Sequence, residues 1–175
     1  MSQPNRLARI AATGMALASW AAIALTLAPD MCRAQSQFKG ITLGLHTATW
    51  HSANRSDIDQ PYESRTPGVY MRTPGGLTVG HLSNSLGNRS TYVAWTLPLA
   101  SSQTHHRTGR ITSAQASIDL TAGVITGYPT APVMPLLTPS LSLRIGSIAM
   151  RLIALPKGHP KGAAAVNLAF EINLP

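Results

Sequence analysis

Apolar and polar residues alternate along most of the chain after residue 40, and this period of two is the pattern of pleated strands. The alternation is clearest near the C-terminal end of the chain. There one face carries Val166, Leu168, Phe170, Ile172 and Leu174, and the other carries Asn167, Ala169, Glu171 and Asn173. No segment has a convincing helical period. The pattern therefore predicts an all-β chain.

Turn residues divide this alternation into about eight strands. Glycine and asparagine tolerate positive φ, and proline cannot donate to a sheet ladder, so both kinds of residue mark strand ends or irregularities. The predicted strands are 41–51, 68–72, 76–83, 90–97, 111–124, 141–144, 148–155 and 164–174. The polar stretch 98–110 is predicted to be a connector. Edges, bulges or gaps in the wall are predicted at Pro129, Pro132, Pro135 and Pro139.

An even number of strands with one apolar face and one face of small or polar residues is typical of a transmembrane barrel. In such a wall the apolar face meets lipid, and every backbone group pairs with a neighbouring strand. The alternative is a soluble β-sandwich with the same stripe turned inward. Because only 5% of the residues are aromatic, a dense sandwich core is disfavoured. We therefore predict an eight-stranded antiparallel up-and-down transmembrane β-barrel.

The N-terminal segment predicts export. Arg6 and Arg9 precede an apolar run over 15–28, which is shorter than the about 20 residues that a membrane-spanning helix needs. Cys32 offers a lipoprotein signal as the alternative to cleavage after residue 34. The predicted organisation is a signal peptide over 1–34 and a β-barrel domain over 35–175. With that cleavage the mature chain has no cysteine, so a disulfide is excluded.

The excess of basic over acidic residues limits the classes of molecule expected as partners. After residue 34, eleven lysines and arginines face five acidic residues. A basic exported protein can meet anionic lipid, lipopolysaccharide or nucleic acid. Nucleic acid is not expected, because no nucleic-acid-binding motif appears and aromatic residues are sparse. The spacing of histidines offers no metal site, and no cofactor is expected. The expected partners are outer-membrane phospholipid and lipopolysaccharide, with the protein as a monomer.

The polar turn within GHLSNSLGNRSTYVAW, residues 80–95, carries hydroxyl and amide side chains between two predicted strands. If the barrel starts in the periplasm, the loops 52–67, 84–90, 125–132 and 156–163 point outward. The outer rim then gathers His51, Arg55, Arg65, Ser85, Arg89, Lys157, His159 and Lys161. Cations at the rim face the phosphates of lipopolysaccharide. The predicted lipopolysaccharide contacts are Arg65, Arg89, Lys157 and Lys161.

Several segments, taken in order, resemble the outer-membrane lipid A palmitoyltransferases. The C-terminal half of that family is similar to LTAGVITGYPTAPVMPLLTPSLSLRIGSIAMRLIALPKGHPKGAAAVNLAFEINL, residues 120–174. Upstream, YESRTPG at 62–68 and NSLGNRSTYVAW at 84–95 resemble further family segments. The resemblance lies in order and spacing across 41–174. The chain is also similar to small uncharacterised bacterial and phage proteins with a YRNSxGRxSxYxG-like segment.

The palmitoyltransferase resemblance implies acyl transfer at the rim, with a phospholipid acyl chain in the barrel interior. By this resemblance Ser85 falls at the family's serine and Asn84 at its acid. His51 follows Thr49 and Trp50 much as the family's catalytic histidine follows Thr-Trp, and His46 is the second choice. In acyl transfer a hydroxyl attacks an ester carbonyl, a base takes its proton, and donors hold the oxyanion. Asn84 can orient or donate but cannot be a charged partner for an imidazole. The implied catalytic residues are His51, Asn84 and Ser85.

Two other functions fit the same pattern. One is a non-catalytic outer-membrane barrel with a structural or surface-guarding role, and the other is a soluble periplasmic lipid-binding barrel. His81 and Ser83 share a strand face, as in the His-x-Ser arrangement of outer-membrane lipid A deacylases, but no acid follows at a suitable distance. Small residues at Gly76, Gly80 and Ala94 either leave room for an acyl chain or ease packing in a narrow barrel.

Overall fold

Eight antiparallel strands close into a barrel in chain order. The structure is a computed structural model that describes residues 40–53, 61–108, 110–129, 131–156 and 163–174, so the predicted signal peptide lies outside the described residues. The strands are β1 (Ile41–His51), β2 (Arg65–Arg72), β3 (Leu77–Ser83), β4 (Arg89–Thr108), β5 (Arg110–Tyr128), β6 (Ala131–Ile145), β7 (Ile148–Leu155) and β8 (Ala165–Leu174). The predicted eight-stranded up-and-down barrel is confirmed.

The stagger of the strands follows from their pairing. A path that starts at Gln115 in β5 and crosses paired residues through every strand returns to β5 at Ile125, ten residues further along. For eight strands this stagger corresponds to a tilt of about 40° from the barrel axis, within the range of closed barrels. The path passes only through residues whose side chains point inward, so it also traces one layer of the interior.

The prediction that residues 98–110 form a connector is wrong. β4 continues to Thr108 and pairs with β5 from Arg110 onward, so the two strands form one long hairpin. The pairing of β3 with β4 ends at Trp95, which leaves the rest of β4 paired with β5 alone. Only the tip of the hairpin, beyond Ala114, lacks a third strand, and a ribbon of that kind needs no apolar alternation.

β6 is longer than predicted and carries its prolines inside the strand. It pairs with β5 from Ala131 to Ile145, but with β7 only from Ser140 to Ile145. Proline is tolerated where no partner requires its missing N–H. Pro132, Pro135 and Pro139 therefore lie in the half of β6 that lacks a partner in β7, as predicted from the sequence.

The distribution of apolar and polar side chains between the two faces of the barrel is the reverse of that in a soluble protein. Large apolar side chains on every strand point outward and are 37–64% exposed. Inward-facing positions are mostly polar or small, and they include buried arginine, aspartate and glutamate. The face assignment predicted for the last strand is confirmed, since Phe170 and Ile172 point outward while Asn167 and Glu171 are buried. Among the described residues no helix is long and apolar enough to cross a bilayer, which says nothing about strands.

Two glycines in the wall make space for tyrosines. Gly44 pairs with Tyr70 across β1 and β2, and Gly80 pairs with Tyr92 across β3 and β4. A Cβ atom at either glycine would overlap the ring of its partner, so each tyrosine lies flat over a glycine inside the barrel. Of the two predicted uses of Gly80, easing the packing of a narrow barrel is therefore the one observed. The space is filled by protein rather than left for an acyl chain.

Candidate functional site

Four connections meet at one end of the barrel, here called the upper end. They are 52–64, 84–88, 129–130 and 156–164, while β1 begins and β8 ends at the lower end. The grouping of loops predicted from the sequence is therefore confirmed for the residues that the structure describes. His51, Arg65, Ser85 and Arg89 lie at this end. The other predicted rim residues, Arg55, Lys157, His159 and Lys161, lie outside the described residues.

Asn84 organises the loop between β3 and β4. Its Oδ1 accepts hydrogen bonds from the backbone N–H groups of Leu86 and Asn88, each at 3.0 Å. Its Nδ2 donates to Ser90 Oγ at 3.0 Å and to the Gly127 carbonyl at 2.9 Å. These four bonds use both donors and both lone pairs of the amide. The geometry therefore gives Asn84 a structural role, and its predicted catalytic role stays a prediction.

Tyr62 and Glu63 join three of the upper connections. The rings of Tyr62 and His51 stack, with their centroids 4.1 Å apart and an interplanar angle of 1°. Tyr62 Oη accepts a hydrogen bond from the Ala163 N–H at 3.3 Å, and the Glu63 N–H donates to the Ser85 carbonyl at 2.8 Å. These two residues were not among the predicted site residues. The only signal in the sequence is the YESRTPG segment, which the resemblance picked out without assigning a role.

Ser85 and His51 are both half-buried at the rim. Within the described part of the chain, no hydrogen bond joins His51 to Ser85 or Asn84, and the link between them runs through Tyr62 and Glu63. Glu63 also lies beside this loop, because its Oε1 is 3.0 Å from the position that a Cβ would take at Gly87. The structure thus brings a hydroxyl, an imidazole and a carboxylate to one rim.

The second-choice histidine, His46, lies deeper in the barrel. Its Nδ1 is 2.7 Å from Asn167 Oδ1, and its Nε2 is 3.0 Å from Tyr92 Oη. Asn167 Nδ2 donates to the Ala48 carbonyl at 3.1 Å, which fixes which end of the amide is the acceptor. His46 Nδ1 therefore carries a proton, and in the neutral ring Nε2 accepts from the hydroxyl of Tyr92. The result is a buried hydroxyl, imidazole and amide chain.

A cavity of about 90 Å³ lies between His46 and the upper loops. Apolar side chains form part of its wall, namely Leu82, Ile125, Leu136 and Ile153, and Ser85 also lines it. Its lower part is polar and is lined by threonines, His46, Arg72 and Arg151. Pockets for small molecules usually measure about 300–1,000 Å³. The cavity can therefore take a small group or the end of a chain, but a whole acyl chain does not fit this conformation.

Below the cavity, Glu171 accepts hydrogen bonds from four side chains. Its Oε1 accepts hydrogen bonds from Tyr70 Oη at 2.6 Å and from Arg151 Nε at 2.7 Å. Its Oε2 accepts hydrogen bonds from Arg72 Nη2 at 3.1 Å and from Arg144 Nη2 at 3.3 Å. The side chain of Glu171 is fully buried. One carboxylate therefore holds three inward-facing guanidinium groups.

Arg151 extends this cluster to a second carboxylate. Its Nη1 donates to Asp119 Oδ2 and to Ser140 Oγ, each at 2.7 Å. Asp119 also accepts from Ser117 Oγ at 3.1 Å, again through Oδ2. Its other oxygen, Oδ1, is buried and has no hydrogen-bond partner among the described residues. The cluster formed by Arg72, Asp119, Arg144, Arg151 and Glu171 is called the lumen cluster below.

Arg65 and Arg89 are exposed at the upper end of β2 and β4. His81 also points outward, and its Nδ1 is 2.9 Å from Thr91 Oγ1 on the outer surface. Since His81 faces away from the cavity, the structure does not place a His-x-Ser pair at the site. The two remaining predicted lipopolysaccharide contacts, Lys157 and Lys161, lie outside the described residues.

Comparison of the chain with protein-family models and with curated proteins gave no match. The resemblance to the palmitoyltransferases therefore stays a prediction, and the function has to be argued from the geometry of the barrel and its upper end.

Proposed function

We propose that the protein is an outer-membrane barrel that spans the bilayer and presents its upper end to the cell surface. The supporting observation is the reversed distribution of polarity, with large apolar side chains outside and a charged cluster inside. Lipid hydrocarbon stabilises an apolar outer face, and a polar interior is ordinary in membrane barrels. A soluble lipid-binding barrel would instead require apolar residues inside and polar residues outside.

The dimensions agree with this proposal. From Ile41 to Trp50, β1 rises roughly 30 Å, and with its tilt it covers roughly 23 Å of height. The apolar band of outer-membrane barrels is about 25 Å tall, with aromatic residues at both borders. Trp50 lies near the upper end of β1, and Trp95 Nε1 donates to the Gly75 carbonyl of a lower turn at 3.0 Å. Two outward tryptophans therefore lie towards opposite ends of the apolar face.

Fractionation tests the location. We expect the protein to sediment with outer membranes, to resist extraction with alkaline carbonate, and to migrate faster on a gel before boiling than after it. The mobility difference arises because a closed barrel stays folded in detergent until heated. Recovery of the folded protein in the soluble periplasmic fraction would contradict the proposal.

Lipopolysaccharide is the lipid expected at the upper end. Arg65 and Arg89 are exposed there, at the level where the strands leave the apolar face. Guanidinium groups form paired, charge-assisted hydrogen bonds with phosphates. The two arginines thus support a contact with the phosphates of the outer leaflet, and the same contact suits a barrel that only occupies or guards the surface.

Acyl transfer is the second candidate function. The observation in its favour is that Ser85 and His46 line one cavity, close to the point where the ladder between β6 and β7 ends. Leu136 and Ile153 also line that cavity, and the ladder between β6 and β7 stops at Ser140 and Ile153. An acyl chain can approach from the lipid side where the two strands are not hydrogen-bonded. Ser85 is then the hydroxyl, and His51 or His46 the base.

Mass spectrometry of lipid A tests this second candidate. In cells that produce the wild-type protein we expect a lipid A species heavier by one acyl chain. In the Ser85→Ala variant the species should fall about 100-fold or more, because the attacking hydroxyl is gone. Ser83→Ala is the matched control and should keep the wild-type spectrum. An unchanged lipid A in all strains, with the barrel correctly located, would leave the non-catalytic surface role.

A further inference from the structure

The lumen cluster carries more positive than negative charge. Its three arginines, Arg72, Arg144 and Arg151, are paired with two carboxylates, Asp119 and Glu171. Arg72 and Arg151 also line the cavity, and the described residues that line it include no aspartate or glutamate. Charged groups inside proteins are stable when an opposite charge accompanies them. One anion bound in the cavity would balance the charges of the cluster, so this cavity favours an anionic ligand over a neutral or cationic one.

Arg151 has donors left for such a ligand. Its Nε donates to Glu171, and its Nη1 donates to Asp119 and Ser140. Its Nη2 carries two further N–H groups, and no hydrogen bond from this nitrogen is found within the described part of the chain. Because Arg151 lines the cavity, Nη2 is the donor that it can offer to a ligand there.

A row of threonines across the cavity wall ends in an unused hydroxyl. Thr78 donates its single proton to the Gly76 carbonyl at 3.0 Å. The Thr96 hydroxyl, 2.9 Å from that of Thr78, therefore donates to Thr78, and the Thr121 hydroxyl, 3.0 Å from that of Thr96, donates to Thr96. Thr138 is paired with Thr121 across β5 and β6, lines the cavity, and forms no side-chain hydrogen bond with the residues that the structure describes. The proton of the Thr138 hydroxyl is thus available to a ligand.

Thr138 lies close to the guanidinium group of Arg151. Arg151 Nη1 is 2.7 Å from Ser140 Oγ, and Ser140 and Thr138 are alternate residues on the inner face of β6. Alternate residues are about 7 Å apart along a strand. A carboxylate spans such a distance when each of its oxygens accepts a hydrogen bond of about 2.9 Å. One carboxylate can therefore bind Arg151 and Thr138 together.

Apolar side chains lie above these donors on the same two strands. Because β6 descends towards the lower end and β7 rises from it, Leu136 is the next inward residue above Thr138, and Ile153 is the next above Arg151. Both line the cavity, as does Leu155. Ligand pockets typically combine apolar walls with a few polar groups that fix the orientation of the ligand. This arrangement directs the polar group of a ligand towards the lumen cluster and its hydrocarbon part towards the upper end.

We propose that the cavity binds a short-chain monocarboxylate, with its carboxylate on Arg151 and Thr138 and its hydrocarbon chain against Leu136 and Ile153. A water-sized group needs about 10–15 Å³, so the 90 Å³ of the cavity hold about six to nine such groups. By this measure the ligand has about four to seven carbon atoms besides its two oxygens. The inference goes beyond the proposed function and does not depend on acyl transfer.

Calorimetric titration of the folded barrel in a non-ionic detergent tests the site with hexanoate as the probe. We expect hexanoate to bind, and the uncharged hexan-1-ol to bind at least about tenfold more weakly, because hydrogen bonds to a charged group are the stronger ones. Acetate should also bind at least about tenfold more weakly, since it lacks the methylene groups that contact Leu136 and Ile153. Absence of hexanoate binding would overturn the proposal. Equal affinities for hexanoate and hexan-1-ol, or for hexanoate and acetate, would overturn it as well.

Two substitutions of Thr138 give a matched pair. Thr138→Val keeps the shape of the side chain and removes the hydroxyl, so the affinity for hexanoate should fall about tenfold or more. Thr138→Ser keeps the hydroxyl and should retain an affinity within about threefold of the wild type. Unchanged affinity in Thr138→Val would contradict the assigned contact. The gel mobility of unheated samples shows whether each barrel is folded, so loss of the site is distinguished from misfolding, and neither result bears on the membrane location.

Discussion

Glu171→Ala is expected to lower the free energy of unfolding by about 3–5 kcal/mol, the usual cost of removing one partner from a buried ion pair. The substitution leaves Arg72, Arg144 and Arg151 in the lumen without their shared acceptor and removes the partner of the Tyr70 hydroxyl. Urea unfolding in lipid vesicles, followed by tryptophan fluorescence, measures the change. Trp50 and Trp95 on the outer face report the loss of the barrel.

Glu63→Ala is the matched control, because Glu63 is an acidic residue that is exposed at the rim. Its removal should change the unfolding free energy by less than about 0.5 kcal/mol, as is usual for surface positions. If Glu171→Ala costs less than about 1 kcal/mol, the lumen cluster does not stabilise the barrel. In that case the arginines must be satisfied in another way, by water or by one another's acceptors.

The strand faces could be predicted because apolar and polar residues alternate with a period of two along the strands. Ile118 and Leu120 alternate with Asp119 in β5, and the alternation alone places the carboxylate on the opposite face from the leucine and isoleucine. The structure shows Asp119 completely buried inside the barrel and Ile118 exposed outside. A period of two needs no knowledge of which strands are neighbours.

Pairing between interior side chains could not be predicted, because it depends on the stagger of the strands. Glu171 meets Arg72 from a sequence separation of 99 residues and Arg144 from 27. A shift of two residues in any ladder keeps every side chain on its face and still breaks these contacts. The extension of β4 beyond Trp95 was not predicted for another reason, since a strand that loses one of its two neighbours no longer requires a regular apolar period.

The position of the candidate site could be predicted from the sequence, but the contacts between its residues could not. An up-and-down barrel brings alternate loops to one end, and this places His51 and Ser85 at the same rim without any model of their contacts. The residues that connect them, Tyr62 and Glu63, come from a polar loop with no period. Asn84 was predicted as an orienting residue, and it orients its own loop through four hydrogen bonds. Local turn chemistry of this kind is common for asparagine.

Leu45→Arg is the substitution that should best separate a membrane barrel from a soluble one. Leu45 lies near the middle of β1, is 49% exposed, and is paired with Val69 and Phe170 on the neighbouring strands. If this face meets hydrocarbon, an arginine there costs about 2–4 kcal/mol near the bilayer midplane. We expect that loss of unfolding free energy in vesicles, together with less folded barrel in the membrane fraction.

Thr91→Arg is the control for Leu45→Arg, because Thr91 also points outward but lies higher, beside His81 and Arg89. Its expected cost is about 0–1 kcal/mol, since an arginine near the interface reaches headgroups and water. The difference between the two positions is the decisive quantity, because both side chains are exposed on the outer face but lie at different depths. In a water-soluble barrel both variants would lie within about 0.5 kcal/mol of the wild type, and Leu45→Arg would improve solubility. Equal and small effects of the two variants would therefore contradict the proposal that this outer face contacts a bilayer.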